Sequence, residues 1–198
     1  ALTKFLTGEY IPLIDELPVP KEIEENKYFS GEMVSYITEY VIFCTDIHDR
    51  LVDEGKTVSM TLEQKFDLRN YVQECFGSCD CKISTEDEIY VIDLKYGKGI
   101  KVEAEKNSQL MMYGLGMLET LDREERAKIK TVKMYIAQVR LESFPEFIMS
   151  KADLVHWGIH ELRVKAKIAW SGEGKQVVGS HCKFCKFKAM CKAQKDMV

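Results

Sequence analysis

Two aspartates and a lysine interrupt apolar segments in the middle of the chain. Asp93 directly follows the continuous apolar run 89–92, and Lys95 lies two positions further on. Asp80 lies thirteen positions before Asp93. Charge placed on an apolar strand costs free energy unless it is paired or used. Two carboxylates can share a divalent cation, and a neighbouring lysine can stabilise negative charge on a phosphate. The residues therefore predict metal-assisted attack of water on a phosphodiester bond.

The spacing of these residues predicts how they are arranged. Asp93 and Lys95 are two positions apart, so on a strand their side chains leave the same face. A hairpin could place Asp80 beside Asp93, and the carbonyl of Leu94 is an oxygen ligand of the kind that hard cations take. The alternative is a solvated strand end with Asp80 in a turn, which is the commoner meaning of a short Asp-x-Lys motif.

Hydrophobic periodicity predicts the elements that position these residues. A helix, three strands, a second helix and a fourth strand follow one another, and then come a further helix and a cysteine-rich tail. This order predicts an α/β fold around a mixed sheet. The predicted bounds are 32–54, 58–66, 76–83, 89–95, 109–121, 132–139 and, for the last helix, 150–170.

Composition excludes several other classes of protein. Of the 198 residues, 45% are hydrophobic and 30% are charged, which is ordinary for a soluble globular domain. No apolar run reaches the roughly 20 residues of a membrane span. Seven unevenly placed cysteines favour reduced thiols or metal ligands over a secreted disulfide framework, so we expect a cytoplasmic protein. The net charge of −4 gives no overall attraction to nucleic acid, so phosphate binding would need a metal site and a local basic patch.

The C-terminal segment carries a second candidate metal site. Cys182, Cys185 and Cys191 have the spacing Cys-x2-Cys-x5-Cys, and thiolates cluster in this way around zinc or iron–sulfur centres. His181 would complete a Cys3His zinc site, whereas free surface thiols are the alternative. The lysines of this segment could contact a DNA backbone or simply be solvated.

The central motifs together resemble those of a known superfamily. The segments Gly77–Asp80 and Ile92–Gly97, and the pair Gln109 and Tyr113, are similar to the successive motifs of the PD-(D/E)XK nucleases. The similarity is closest to the RecB-like branch, which includes phage-encoded exonucleases, and it extends over roughly residues 32–192. The resemblance implies a restriction-endonuclease-like core and a deoxyribonuclease, specifically an exonuclease, that hydrolyses phosphodiester bonds.

The resemblance also implies roles for individual residues. Asp80 and Asp93 would bind Mg²⁺ or Mn²⁺, and Lys95 would be the catalytic lysine. Gln109 and Tyr113 lie four positions apart and so share one helical face, from which they would line the site and hold DNA or the lysine. The alternative for these two residues is an ordinary buried helix that contains one polar side chain.

Two ligands that the resemblance implies do not occur in the sequence. RecB-like members carry a histidine in an upstream helix and a fourth cysteine that completes a 4Fe–4S cluster with the tail cysteines. His48 has the wrong context for that ligand and is interpreted as a surface residue, and Glu63 is a candidate outer carboxylate for which a solvated strand residue is the stronger interpretation. The chain opens at Ala1 inside a helical pattern, so we expect both missing ligands in residues that precede it.

Three functions are compatible with these observations. The first is a metal-dependent nuclease domain over residues 1–171, with residues 172–198 as a metal-binding tail packed on the same domain. The second is a catalytically inactive DNA-binding or assembly module of the same fold with a structural zinc or iron–sulfur site. The third is an unrelated α/β protein with structural zinc. DNA is the expected partner of the first two. The resemblance to phage exonucleases also implies a single-strand annealing protein as a partner, and the chain could form an oligomer.

Overall fold

The computed structural model describes residues 19–195, and these residues form an α/β fold, as predicted. The strands in chain order are β1 (Ser59–Asp67), β2 (Phe76–Ser84), β3 (Glu88–Leu94), β4 (Thr131–Ala137) and β5 (Glu146–Ser150). They form one sheet in that spatial order. Neighbouring strands are antiparallel except β3 and β4, which are parallel, so the sheet is mixed.

Helices precede, connect and follow the strands. They are α1 (Lys21–Glu24), α2 (Gly31–Asp53), α3 (Ser108–Glu119), α4 (Arg123–Lys128), α5 (Lys151–Trp157), α6 (Arg163–Ser171) and α7 (Lys192–Lys195). A π-helical turn, Gly158–Leu162, joins α5 directly to α6. A short 3-10 turn, Val139–Leu141, lies between β4 and β5. Two more, Ser180–Phe184 and Lys188–Met190, lie between α6 and α7. Within the described residues, no helix is both long enough and apolar enough to cross a membrane.

Helix α2 covers one face of the sheet. Its apolar positions recur at steps of three or four and therefore lie on one side of the helix; the buried ones are Tyr40, Val41, Cys44, Ile47 and Leu51. All of these except Val41 pack in one cluster with strand residues that include Ile83 and Ile92. Ser30 caps the helix by accepting a hydrogen bond from the N–H of Met33. The predicted stop at Gly55 is confirmed, because this glycine adopts a left-handed backbone with φ 77°.

Helix α3 and the beginning of α5 cover the opposite face. One buried cluster joins α3, α5, β3 and β4, and its members include Leu110, Leu115, Leu118, Ile89, Val91, Met134, Ile136 and Leu154. Strand β3 is therefore buried on both faces, which explains its continuous apolar run. A Cβ at Gly116 of α3 would overlap the ring of Phe66, so this glycine allows β1 to pack directly on the helix.

The β1–β2 hairpin continues beyond the last residue pair that joins β2 to β3. Strand β2 pairs with β3 only as far as Cys81 and Ile92, whereas pairing between β1 and β2 continues to Asp67 and Phe76. Along β1 the side chains change sides, since Leu62 packs with the α2 cluster and Phe66 with the α3 cluster. The change occurs at a residue with left-handed backbone, φ 49°, at position 63. The register of β1 and β2 is the same on both sides of this position, so the outer part of the hairpin bends over the α3 face without an inserted residue.

Most of the predicted elements are confirmed to within one or two residues. The exceptions are strand β5 and the short helices α1, α4 and α7, which the sequence did not predict. Helix α4 is short and exposed, although Asp122 and Glu125 form a capping box at its start. Strand β5 lies at the edge of the sheet with alternate residues exposed, and Pro145 directly before it hides its pattern. The helical pattern expected from Ala1 lies outside the described residues.

Candidate active site

The predicted aspartates are brought together where the hairpin separates from β3. One step beyond the paired residues Cys81 and Ile92, the same register places Asp80 opposite Asp93. The Oδ2 atom of Asp80 accepts a hydrogen bond of 2.8 Å from the N–H of Leu94. This bond ties the Asp80 carboxylate to the end of β3 beside Asp93, as the hairpin prediction required.

The Asp93 carboxylate is buried with an incomplete set of partners. Asp93 is 2% exposed. The Nζ atom of Lys95 lies 2.8 Å from Oδ2 of Asp93, but within residues 19–195 no donor reaches this oxygen with hydrogen-bond geometry. Burial raises the pKa of Asp93, Lys95 opposes the shift, and the like charge of Asp80 adds to it. The site therefore places a buried carboxylate next to a second one, and carboxylate oxygens are the ligands that hard divalent cations take. No third His, Cys, Asp or Glu side chain among residues 19–195 joins these two to form a group that could hold an ion.

Lys95 is held by a chain of side chains that leads to α3. Its Nζ donates to Oε1 of Gln109 at 3.0 Å, and Nε2 of Gln109 donates to the Tyr113 hydroxyl at 2.8 Å. The same Nε2 lies 3.5 Å from Oδ1 of Asp93, at the limit of a hydrogen bond. Gln109 and Tyr113 thus share one helical face, with Gln109 in direct contact with the lysine and Tyr113 linked to it through Gln109. Their roles at the site stay a prediction.

The first turn of α3 positions Gln109. Asn107 is the N-cap, and its Oδ1 accepts hydrogen bonds from the N–H groups of Gln109 at 3.0 Å and Leu110 at 3.3 Å. Tyr113 is fixed from its other side by an edge-on contact with Phe66, with ring centroids 5.5 Å apart. The bent hairpin therefore packs against the same side chains that orient the lysine.

The remaining sequence candidates lie at the margin of the site or away from it. Glu63 is exposed and has a left-handed backbone. It lies in β1 opposite Asp80 of β2, at the one position of β1 that is not paired with β2. His48 lies in α2, half-exposed, and its Nδ1 is 2.8 Å from Oδ1 of Asp49. The carbonyl of Leu94 as a ligand stays a prediction.

The tail cysteines are not assembled into a metal centre. Among residues 19–195 there is no group of three or more His, Cys, Asp or Glu side chains placed to hold an ion. Cys182 accepts a hydrogen bond of 3.5 Å from the N–H of Gly179, and Cys191 donates one of 3.6 Å to Gln176. Cys185 is exposed. A zinc or iron–sulfur centre in the tail therefore stays a prediction.

Sequence reasoning missed Gln138, which lies directly after β4. It is 2% exposed, yet its side chain makes three hydrogen bonds with the loop that follows Lys95. The neighbouring Ala137 carbonyl accepts the N–H of Lys95 at 2.9 Å. The available signal was a single glutamine at the end of an apolar strand, which in isolation is an ordinary strand terminus.

The fold and the site define an α/β protein that carries a pair of adjacent carboxylates and a tethered lysine at the end of a central strand. The chain belongs to the family described as protein of unknown function DUF2800, whose model matches residues 4–198. Among solved structures it is similar to the protein described as SSO0001, with 14% sequence identity and a TM-score of 0.34. That match covers 88% of this chain and 77% of the other chain.

Proposed function

We propose that the chain is a divalent-metal-dependent DNA nuclease with a restriction-endonuclease-like core of the PD-(D/E)XK superfamily, and that it acts as an exonuclease of the RecB-like, phage-encoded type. The observation that carries the proposal is the buried Oδ2 of Asp93. This oxygen has no donor with hydrogen-bond geometry in residues 19–195, although Asp80 and Lys95 lie beside it. A buried carboxylate with that environment is costly in a purely structural role.

Asp80 and Asp93 would hold Mg²⁺ or Mn²⁺, which supplies an activated water molecule and neutralises charge on the phosphate. Lys95 stabilises the negative charge that develops on the phosphate oxygens. Gln109 keeps the ammonium group of Lys95 in place independently of Asp93, since it accepts one of the Nζ hydrogens. Tyr113 in turn fixes the Gln109 amide. The lysine therefore stays oriented when the Asp93 oxygen is engaged elsewhere.

Degradation of linear DNA tests the proposal directly. The full-length protein is incubated with end-labelled linear DNA and with a closed circle, in the presence of Mg²⁺ or Mn²⁺. We expect cleavage of the linear substrate, and a loss on the order of 10²-fold for Lys95→Ala, the cost of removing one group that stabilises developing charge. Lys130→Ala, before β4 and therefore at the opposite end of the parallel strands β3 and β4, is the matched control and should cut normally. Equal rates for Lys95→Ala and wild type would remove the mechanism.

A DNA-binding or assembly module without turnover is the alternative outcome. In that case calorimetry would detect no Mn²⁺ binding that depends on Asp80 and Asp93. Elemental analysis of protein purified without air separates the two proposed tail centres, because an iron–sulfur cluster brings iron and sulfide whereas a structural site brings one zinc per chain. Co-purification with a single-strand annealing protein encoded nearby would support a role in recombination.

A further inference from the structure

The loop that follows β3 is held in shape by one buried side chain. Gln138 accepts a hydrogen bond of 2.9 Å from the N–H of Val102. Its Nε2 donates to the carbonyl of Gly97 at 2.7 Å and to the carbonyl of Ile100 at 2.9 Å. Because a buried amide must satisfy its polar atoms, these three bonds fix the path of residues 97–102, which we call the β3 loop.

The bonds to Gln138 occupy carbonyl groups of the β3 loop and leave several of its N–H groups without a partner in the described residues. The carbonyls of Gly97 and Ile100 are turned towards the buried amide. In contrast, no acceptor within residues 19–195 contacts the N–H groups of the four loop residues 98–101. All four of these residues are exposed. Two carbonyls of the β3 loop are thus occupied by the buried amide, while its exposed N–H groups are left for an acceptor from outside, such as an anion.

The side chains of the β3 loop add charge and leave space. Lys98 and Lys101 are exposed, and the nearest carboxylate is Glu103, 3.9 Å from Nζ of Lys101. A Cβ added at Gly97 or Gly99 would meet no atom within 4 Å. A phosphate group can therefore approach the loop backbone closely. Backbone N–H groups and lysine side chains are among the groups that proteins use to contact the phosphates of nucleic acids.

The β3 loop starts beside the candidate catalytic lysine. The N–H of Lys95 is anchored on Ala137, and Lys98 is three residues further on, at most about 11 Å along the chain. We propose that the β3 loop binds a backbone phosphate of a DNA strand next to the phosphate that faces Lys95. The identity of the ligand rests on the proposed function, whereas the anion-binding character rests on the loop itself.

Binding to single-stranded DNA without metal tests the β3 loop separately from catalysis. Fluorescence anisotropy of a labelled oligonucleotide is measured in EDTA over a range of salt concentrations. Each phosphate contact contributes about 0.7 to the slope of log K against log salt for a single strand. For the double variant Lys98→Gln and Lys101→Gln, which removes both cations from this one phosphate, we expect a slope smaller by about 0.7 and, at about 0.1 M salt, an affinity lower by about 5-fold.

A matched variant controls for net charge. Lys128→Gln together with Lys130→Gln makes the same change in charge before β4, at the opposite end of the parallel strands β3 and β4, and should leave the slope unchanged. Gln138→Glu keeps the acceptor for Val102 but loses both donors to the loop carbonyls, so we expect a reduced slope at unchanged helix content. A merely structural role of Gln138 would lower the melting temperature without changing that slope.

The outcomes separate this inference from the nuclease proposal. If the loop variant binds with the same affinity and slope as the control variant, the β3 loop is not the phosphate site, whether or not the wild type cuts DNA. Absence of DNA binding by the wild type in EDTA also overturns it. Loop-dependent binding without any metal-dependent cleavage would leave the β3 loop assigned and refute the nuclease.

Discussion

Replacing Asp93 by asparagine should stabilise the metal-free protein and abolish its response to divalent cations. Asp93 is 2% exposed, and its Oδ2 lacks a hydrogen-bond donor among residues 19–195. Burial raises the pKa of Asp93 above its ordinary value of 3.8, Lys95 opposes the shift, and Asp80 adds to it. The folded protein therefore carries the ionised carboxylate at a cost, which the neutral amide of Asp93→Asn removes.

The size of the effect follows from the burial of a polar group with an incomplete set of partners, which costs about 1–3 kcal/mol. Because the ion pair with Lys95 offsets part of this cost, we expect the free energy of unfolding to rise by only about 1 kcal/mol at neutral pH. For a chain of 198 residues this raises the Tm by roughly 2–4 °C. Below pH 3.8 the carboxyl group is protonated in both states and the advantage disappears. It develops as the pH rises, because the unfolded chain ionises first.

Thermal unfolding with EDTA or with Mn²⁺ measures both halves of this prediction. At about 100 times its Kd, a cation that binds only the folded protein adds about 2.7 kcal/mol, or roughly 5–10 °C. The wild type should show this shift and Asp93→Asn should not. Asp87→Asn is the control, since this half-exposed carboxylate lies at the other end of β3 and pairs with Lys130 at 3.3 Å. It should gain no stability in EDTA and should keep the full Mn²⁺ shift.

Two results would contradict the reasoning about Asp93. A lower Tm of Asp93→Asn in EDTA would mean that the ion pair with Lys95 outweighs the burial of the carboxylate. A full Mn²⁺ shift in Asp93→Asn would mean that any divalent cation binds elsewhere. Either outcome removes the observation on which the nuclease proposal depends.

Two further substitutions test contacts that hold the fold together away from the carboxylate pair. Burial alone would raise the pKa of Glu88, but hydrogen bonds from Lys133, Tyr90 and Lys56 bring it to about 2. The ionised Glu88 carboxylate therefore stabilises the folded protein fully above the ordinary pKa of 4.5, and this stabilisation is lost as the pH falls towards 2. We expect Glu88→Gln to lower the free energy of unfolding by about 2–3 kcal/mol at neutral pH. Urea unfolding should also show a smaller loss of stability between neutral and acid pH in Glu88→Gln than in the wild type; an equal loss would contradict the role given to Glu88. Gly116→Ala should cost about 1 kcal/mol, because overpacking against a buried ring outweighs the gain in helix propensity, whereas Gly31→Ala, with nothing within 4 Å, should cost nothing in the same measurement.

The elements that carry the site could be predicted because their signals are local. The apolar run before Asp93 and the three- and four-residue steps in α2 and α3 depend only on neighbouring positions. Gln138 could not be predicted in this way, since its side chain bonds residues 36 to 41 positions earlier in the chain. Nothing in the composition around Glu63 distinguishes a strand residue from the left-handed residue at which the hairpin bends.

The two aspartates depend on different parts of the fold, and this difference decides which contacts can change without loss of the site. Asp80 is tied to the backbone of β3 through the N–H of Leu94, so its position follows from strand pairing alone. Asp93 forms an ion pair with Lys95, and Gln109 of α3 holds this lysine through a hydrogen bond. A displacement of α3 would therefore move the lysine while the carboxylates stayed in the sheet. The contact of Phe66 with Tyr113 and Gly116 prevents that displacement, so the bent hairpin is as necessary to the lysine as the sheet is to the carboxylates.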